Sequence, residues 1–181
     1  KSSLRKELPP EVSEEELKSH FNHLTSRYFR VHSVRHILID LTHVNLFLKR
    51  VTSATNEKVL EPVIGWHNRP ARGYTSLKVC TWDRPGLFTT ISGALAAAGL
   101  NILNARVFSR TDGIIIDTFF VINSNNGGLA NRTEKDKFSR LIKQALLPNG
   151  DTTFEKQIKY SPSKPDSEEW KIPTRIRIDT Q

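Results

Sequence analysis

The 181-residue sequence contains no methionine, only one cysteine and no long apolar run. A single cysteine excludes an internal disulfide framework and is typical of a reducing compartment, so we expect a cytoplasmic protein. No apolar run approaches the roughly 20 residues that cross a bilayer, so we expect no membrane partner. Because the sequence begins with Lys1 and lacks methionine, we expect it to be a piece of a longer polypeptide.

The chain has an excess of positive charge, but the excess is not clustered. It contains 27 Lys and Arg against 19 Asp and Glu, for a net charge of +8. Proteins that neutralise nucleic-acid phosphates carry a concentrated basic face. The one basic stretch with aromatic residues, 66–74, is predicted to be a loop. We therefore expect no nucleic-acid partner.

The first part of the chain, 1–56, is predicted to be a helical connector with two helices. Ser13 and Glu16 have the spacing of a capping box. Apolar residues follow at helical spacing: Leu17, Phe21, Leu24 and Tyr28. A second helix is predicted from Ser33, with its own apolar stripe: Ile37, Leu41, Val44 and Leu48. Both stripes need a partner to cover them.

The second part, 57–181, alternates strand and helix signals. The first predicted elements are a strand around Leu77 and Val79 that ends near Trp82, and a helix over 87–98. Two strands follow over 101–110 and 114–122, joined by a turn at Thr111-Asp112-Gly113. A second helix is predicted over 133–146, capped by Thr133 with Asp136 and ended by Pro148, and after it come an irregular insert over 148–171 and an edge strand over 172–180. This order predicts an α+β, ferredoxin-like βαββαβ domain, with an antiparallel sheet and both helices on one face.

A turn of unusual composition, Asp83-Arg84-Pro85-Gly86, precedes the first helix of this domain. Asp83 is a favourable N-cap residue, Pro85 is tolerated in a first helical turn, and Gly86 leaves the backbone bare. Free amides at the positive end of a helix can bind a carboxylate. An ordinary capped helix start explains the same residues, and both interpretations stay open at this point.

The stretch "TSLKVCTWDRPGLFTTISGALAAAGLNILNARVFSRTDGIIIDTFFV", residues 75–121, resembles an ACT domain, a small regulatory fold that binds amino acids. In more detail, "WDRPGLF", "GLNILNARVFSRTDG" and "DTFFV" resemble the first ACT domain of the bifunctional PII uridylyltransferase/uridylyl-removing family. The flanking segments "HFNHLTSRYF" and "IPTRIRID" are similar to those on either side of ACT in that family.

The resemblance implies a sensing role in nitrogen regulation. Enzymes of that family transfer UMP from UTP to the PII signalling protein, with Mg²⁺, and remove it by hydrolysis in response to glutamine. This sequence has neither catalytic signature, so we expect no catalytic site and no cofactor in it. A second ACT domain is missing, so the site is half built or completed by another copy in a homo-oligomer formed through sheet edges. The alternative is an ACT-type oligomerisation module without a small-molecule ligand.

The same resemblance assigns the candidate ligand-binding residues. It places five of them in the ligand loop: Asp83, Arg84, Pro85, Gly86 and Leu87. It places Asn101 and Ile102 at the start of the neighbouring strand. A glutamine would present its α-carboxylate to the amides near Gly86 and Leu87, and its side-chain amide to Asn101 or Asn104. Asn101 is equally well explained as a turn residue after Gly99.

Three other groups of reactive side chains can be explained by an ordinary structural role. His36, Asp40 and His43 share one helical face, which is a possible geometry for a metal, but they match no metal motif, and we expect no metal site. Cys80 is expected to be a small packed residue. Asp117 lies between apolar neighbours, where it either contacts a ligand or pairs with an arginine such as Arg106.

Overall fold

The computed structural model describes residues 7–53 and 61–147, together with Leu4, Gly150 and Phe154. Its helices and strands are α1 (Glu14–His23), α2 (Ser26–Val31), α3 (Val34–Ser53), β1 (Val63–Arg69), β2 (Tyr74–Trp82), α4 (Leu87–Ala98), β3 (Leu100–Arg106), β4 (Ile114–Asn123) and α5 (Arg132–Leu146). Apart from Gly150 and Phe154, the predicted insert over 148–171 lies outside the described residues. The predicted strand over 172–180 lies outside them as well.

The four strands form one antiparallel sheet in the order β1-β2-β4-β3. The predicted hairpin between β3 and β4 is confirmed, and its turn closes where the Gly113 N–H donates to the Arg110 carbonyl (3.1 Å). The α+β class and the helical segment before the domain are confirmed too. Among the described strands, β1 occupies the outer position beside β2.

Helices α4 and α5 pack together on one face of the sheet, as predicted. The apolar stripe of α4 is buried against the sheet because its residues recur at helical spacing. The fully buried members of this core include Ile91 and Leu95 of α4, Phe138 and Ile142 of α5, and Leu77 and Phe119 of the sheet.

The connector helices cover the opposite face of the sheet. Ile37, Val44 and Phe47 of α3 are buried against Cys80 and Ile116 of the central strands. Helix α3 has 20 residues, but neither it nor any other described helix is apolar enough over sufficient length to cross a membrane. The apolar stripe of α3 therefore packs against the sheet.

Helix α3 approaches the sheet closely at a glycine of β1. A Cβ atom added to Gly65 would collide with the imidazole ring of His43. The absence of a side chain at this strand position therefore allows α3 to lie directly over β1.

Two predictions of local structure are wrong. The first connector helix ends at His23, because Leu24 is extended (ψ 146°) and Thr25 is the N-cap residue of the separate helix α2. The stretch 66–74 is not a simple loop, since β1 pairs with β2 through a short 3₁₀ turn at Pro70–Arg72 and Gly73 at φ 70°. The Trp66 ring packs edge-on against Phe138 (5.5 Å between centroids), which anchors β1 to the core.

Two element ends also differ from prediction. Helix α5 is capped by Asn131, which forms a capping box with Glu134, instead of by Thr133 with Asp136. Strand β3 ends at Arg106 rather than at residue 110. Beyond it, the Phe108 N–H donates to the side chain of Asp117 (3.3 Å) instead of continuing the regular ladder.

Candidate ligand-binding site

The loop that joins β2 to α4 is held by hydrogen bonds on two sides. The Asp83 N–H donates to the Gly113 carbonyl (2.7 Å), and the Ser109 hydroxyl donates to the Asp83 carboxylate (3.2 Å). On the other side, the Arg84 guanidinium donates to the Leu146 carbonyl at the end of α5 (2.9 Å). The loop is therefore fixed between the β3–β4 turn and α5.

Helix α4 begins without a side-chain cap. Gly86 is the N-cap residue, with φ 74° and ψ 5°, and no side chain accepts a hydrogen bond there. The prediction that Asp83 caps this helix is wrong, because the hydrogen bonds of Asp83 hold it to the β3–β4 turn. Pro85 consequently precedes the cap instead of lying in the first helical turn. Glycine adopts this left-handed conformation without a Cβ penalty.

The uncapped end of α4 leaves backbone donors of the first turn without a partner in the helix. The Leu87 N–H donates to the Arg84 carbonyl (3.2 Å), whereas the first-turn N–H groups of Phe88 and Thr89 have no acceptor inside the helix. A Cβ added to Gly86 would meet no atom within 4 Å. Helix N-termini carry partial positive charge and attract anions. The arrangement is suited to a small carboxylate that accepts from Phe88 and Thr89, while the Leu87 side chain is buried in the core.

The remaining predicted site residues lie far from this loop. Three exposed residues of β3 are concerned: Asn101, Ile102 and Asn104. Asn101 pairs with Ile122 of β4, whereas Trp82, just before the loop, pairs with Ile114. The distance along β4 between these two pairings is about 26 Å at 3.3 Å per residue. One copy of the chain does not bring the two groups together.

Asp117 is a buried carboxyl on the face of the sheet that α4 and α5 cover. Burial raises the pKa of Asp117 to about 7, and the negative charge of Asp83 acts in the same direction. The alternative in which it pairs with Arg106 is wrong, because Arg106 pairs with Thr118 and lies on the other face. There the Arg106 guanidinium lies 5.4 Å from the centre of the Phe120 ring.

A buried chain of hydrogen bonds joins the connector to the sheet. Arg110 Nη1 donates to His20 Nδ1 (3.2 Å), and His20 Nε2 donates to the Tyr28 hydroxyl (3.2 Å). Tyr28 in turn donates to Asp40 Oδ2 (2.7 Å), and Lys78 Nζ donates to Asp40 Oδ1. Burial, and next the positive charge of Arg110, lower the pKa of His20 to about 4, which keeps this imidazole neutral.

The histidines on the face of Asp40 interact with their own helix. His36 Nδ1 lies 2.8 Å from the Ser33 hydroxyl, and His43 Nδ1 lies 2.8 Å from the Ile39 carbonyl. Within the residues that the structure describes, no group of three His, Cys, Asp or Glu side chains is arranged to hold a metal ion. Cys80 is buried, which raises the pKa of its thiol and is consistent with a packed residue.

A cavity that was not predicted from the sequence lies between α3 and the sheet. Its volume is about 570 Å³, and its walls include the side chains of Arg35, Arg69, Arg72 and Arg106. We call it the basic cavity. Arg69 and Arg72 belong to the basic stretch 66–74, whereas Arg35 of α3 and Arg106 of β3 are distant from it in sequence. Spacing along the chain therefore does not bring the four arginines together.

Comparison with known proteins agrees with the fold. Residues 75–135 match the family described as "ACT domain". The chain is similar to the "Bifunctional uridylyltransferase/uridylyl-removing enzyme" of Gluconobacter oxydans (34% identical over 61% of this chain and 12% of the relative) and of Rhodospirillum rubrum (31% over 62% and 12%). The relative of the same name from Vibrio cholerae is 27% identical over 71% of this chain and 14% of its own length. The chain thus spans about an eighth of the length of these relatives. No solved structure matches the chain.

Proposed function

Because residues 75–135 of this chain form an ACT domain, we propose that the chain is the amino-acid-sensing regulatory segment of a bifunctional uridylyltransferase/uridylyl-removing enzyme. The observation that carries the proposal is this match together with the similarity to relatives of that name. The proposed effector is glutamine. In this proposal the sensing segment controls nitrogen metabolism through the catalytic domains of its parent enzyme.

The activity of the parent enzyme is part of the proposal. It transfers UMP from UTP, with Mg²⁺, to the PII signalling protein in the cytoplasm and removes it by hydrolysis. These reactions belong to domains other than the ACT segment. Purified chain incubated with UTP and PII protein is therefore expected to transfer no UMP above a mock purification.

The α4 end supplies groups for both charges of a free amino acid. The first-turn N–H groups of Phe88 and Thr89 donate to the α-carboxylate. The exposed Asp83 carboxylate, fixed by Ser109 at 3.2 Å, accepts from the α-ammonium group. Charge-assisted hydrogen bonds of this kind are shorter and stronger than neutral ones.

A second copy of the chain supplies the rest of the site. Strand β3 is an outer strand of the sheet, so two copies can pair antiparallel through their β3 edges. Antiparallel pairing brings the start of one β3 beside the end of the other. Asn101 and Asn104 of the second copy then lie near the Asp83–Gly86 loop of the first, where an amide side chain matches the donor and acceptor of glutamine.

Titration calorimetry of the chain with glutamine, and with glutamate and alanine as comparisons, tests the proposal. Glutamine is expected to bind more tightly than either comparison. The Asp83→Asn variant should weaken glutamine binding by roughly tenfold or more, because it loses the charge that faces the ammonium group. Asp136→Asn is the matched control, since Asp136 is exposed on α5 and pairs with Arg132 at the surface.

The second candidate function is an oligomerisation module without a ligand. The observation that favours it is the apolar surface of β3, where Leu103 is 55% exposed and Ile102 is 37% exposed. If no amino acid binds at millimolar concentration while the chain still dimerises, the module is the correct function. If glutamine binds equally to Asp83→Asn, the sensing role stands and the assigned role of Asp83 is wrong.

A further inference from the structure

The basic cavity has a roof and a floor from different parts of the chain. The first half of α3 forms the roof, with Arg35, His36 and Ile39 among its lining residues. The sheet forms the floor, with Lys78, Thr118 and Phe120 among its lining residues. The volume of about 570 Å³ lies within the range of roughly 300–1,000 Å³ that is usual for small-molecule sites.

The charge of this cavity is strongly one-sided. Four arginines line it and no Asp or Glu does. Among the ion pairs of the described part of the chain, none involves Arg35, Arg69, Arg72 or Arg106. Lys78 also lines the cavity, but its charge is offset by Asp40 beneath it. Converging guanidinium groups without carboxylate partners are the side-chain chemistry that binds phosphate and carboxylate.

The arginines approach the cavity from opposite edges of the sheet. Arg69 is on β1 and Arg106 is on β3, which are the two outer strands. The two strands lie three strand spacings apart across the sheet, which is about 14 Å, and the register offsets the two residues further along the strands. A single small anion therefore does not engage all four guanidinium groups, whereas a ligand with anionic groups at two ends matches this separation.

The floor between these edges has an apolar centre. The rings of Tyr74 and Phe120 meet edge to face with 5.2 Å between their centroids. Arg72 donates to the Tyr74 hydroxyl (3.4 Å), and the Arg106 guanidinium lies over the Phe120 ring. The apolar body of an organic ligand would lie on these rings, with polar contacts from Ser76 and Thr118 beside them.

We propose that the basic cavity binds a small organic anion that carries two or more phosphate or carboxylate groups. This site is separate from the proposed amino-acid site, which lies at the start of α4 on the opposite face of the sheet. Glutamine has no net charge and a single carboxylate, so it does not satisfy four arginines. A ligand held here contacts both the connector and the ACT domain, so binding should stabilise the packing of α3 on the sheet.

The test uses the whole chain and a set of defined probes at pH 7 and moderate salt: citrate for polycarboxylates, UMP and UTP for phosphate esters, and inorganic phosphate as the small-anion comparison. Calorimetry should give one site with a Kd below 1 mM for citrate or for a uridine nucleotide, and weaker binding of inorganic phosphate. The probe that binds shows whether the anionic groups of the ligand are carboxylates or phosphates. Absence of millimolar binding by every multivalent probe would overturn the proposal.

Variants locate the binding within the cavity. Arg69→Gln and Arg35→Gln should each lower the affinity for the probe that binds by tenfold or more, without changing the affinity for glutamine. Arg140→Gln is the matched control, because Arg140 is an exposed arginine of α5 and does not line the cavity. An equal loss in Arg140→Gln, or tighter binding of a single-stranded oligonucleotide than of any small probe, contradicts a small-molecule site. Arg35 is exposed on α3, so its replacement should leave the fold intact. The Arg35→Gln variant therefore still tests the cavity if Arg69→Gln folds poorly.

Discussion

The Lys78 ammonium of β2 donates to the Asp40 carboxylate of α3, and this buried ion pair joins the connector to a central strand of the sheet. Tyr28 donates to the second oxygen of the same carboxylate (2.7 Å), and Lys78 also donates to the Thr118 hydroxyl (3.1 Å). A buried charge pair contributes little net stability when intact, but either charge is costly when left alone.

Replacement of Asp40 by Asn is therefore expected to destabilise the fold strongly. Lys78 would remain buried without its counter-charge, which typically costs about 3–5 kcal/mol. Urea denaturation measures the change in the free energy of unfolding. Asp136→Asn on the surface of α5 is the control and should change it by less than about 0.5 kcal/mol. Equal stability of the two variants would show that Lys78 finds another partner.

Asp117 should make the stability of the fold depend on pH. Its pKa is raised from 3.8 to about 7 in the folded chain, so the folded state binds more protons than the unfolded state between pH 4 and 7. The free energy of unfolding therefore falls as the pH rises through this window. His20, with its pKa lowered to about 4, acts in the opposite direction between about pH 4 and 6.5, so the two contributions partly cancel in the wild-type chain.

The Asp117→Asn variant separates these contributions. It removes the cost of ionising a buried carboxyl, so its stability relative to wild type should increase from pH 4 to pH 7 and then level off. The gain above pH 7 should be on the order of 4 kcal/mol, from about 1.4 kcal/mol for each unit of the pKa shift. Denaturation midpoints measured at several pH values provide the comparison. A difference between variant and wild type that stays constant over this range would contradict the raised pKa.

Gly86 is required by its backbone conformation and not by lack of space. Its φ of 74° is unfavourable for residues with a Cβ, although a Cβ there would meet no neighbour. Gly86→Ala should therefore lower stability by about 1–2 kcal/mol, and Gly86→Asn should cost less, because asparagine tolerates the left-handed region. Thermal unfolding of both variants checks the order. Equal stability of the Gly86→Ala and Gly86→Asn variants would show that the loop changes its conformation to accommodate a Cβ.

The sequence predicted the parts of the fold that depend on local periodicity. The stripe of α4, including Leu87, Ile91 and Leu95, is buried as expected because helical spacing alone brings these residues to one face. Strand β1 was not predicted, because its polar residues are exposed at an edge of the sheet. In addition, Pro70 and Gly73 lie between β1 and β2 and are typical of a loop. Edge strands carry a weak alternation signal because only part of one face is covered.

The details of the candidate sites depend on contacts distant in sequence. Asp83 and Gly86 are both acceptable N-cap residues, and the choice between them follows from the hydrogen bond of Asp83 to Gly113. The basic cavity needs Arg35, Arg69 and Arg106 to meet across the layer between α3 and the sheet. Neither relationship can be derived from spacing along the chain.

The outer edge of β3 is expected to drive self-association. Within the part of the chain that the structure describes, its backbone has no neighbouring strand on one side, and Leu103 is 55% exposed at an irregularity in the β3–β4 register. Unpaired edges with apolar side chains readily pair with another chain. Sedimentation velocity should show a reversible dimer at concentrations of tens of micromolar.

A charged side chain on this edge should oppose the dimer. Ile102→Lys is expected to weaken dimerisation by tenfold or more, because lysine on an edge strand resists pairing. Leu46→Lys is the control, since Leu46 is comparably exposed (41%) but lies on α3, away from the sheet edge. If the dimer places β3 of one copy beside the Asp83–Gly86 loop of the other, Ile102→Lys should also lose glutamine binding in parallel with dimerisation. A monomeric variant that retains full glutamine affinity would show that one copy holds the whole site.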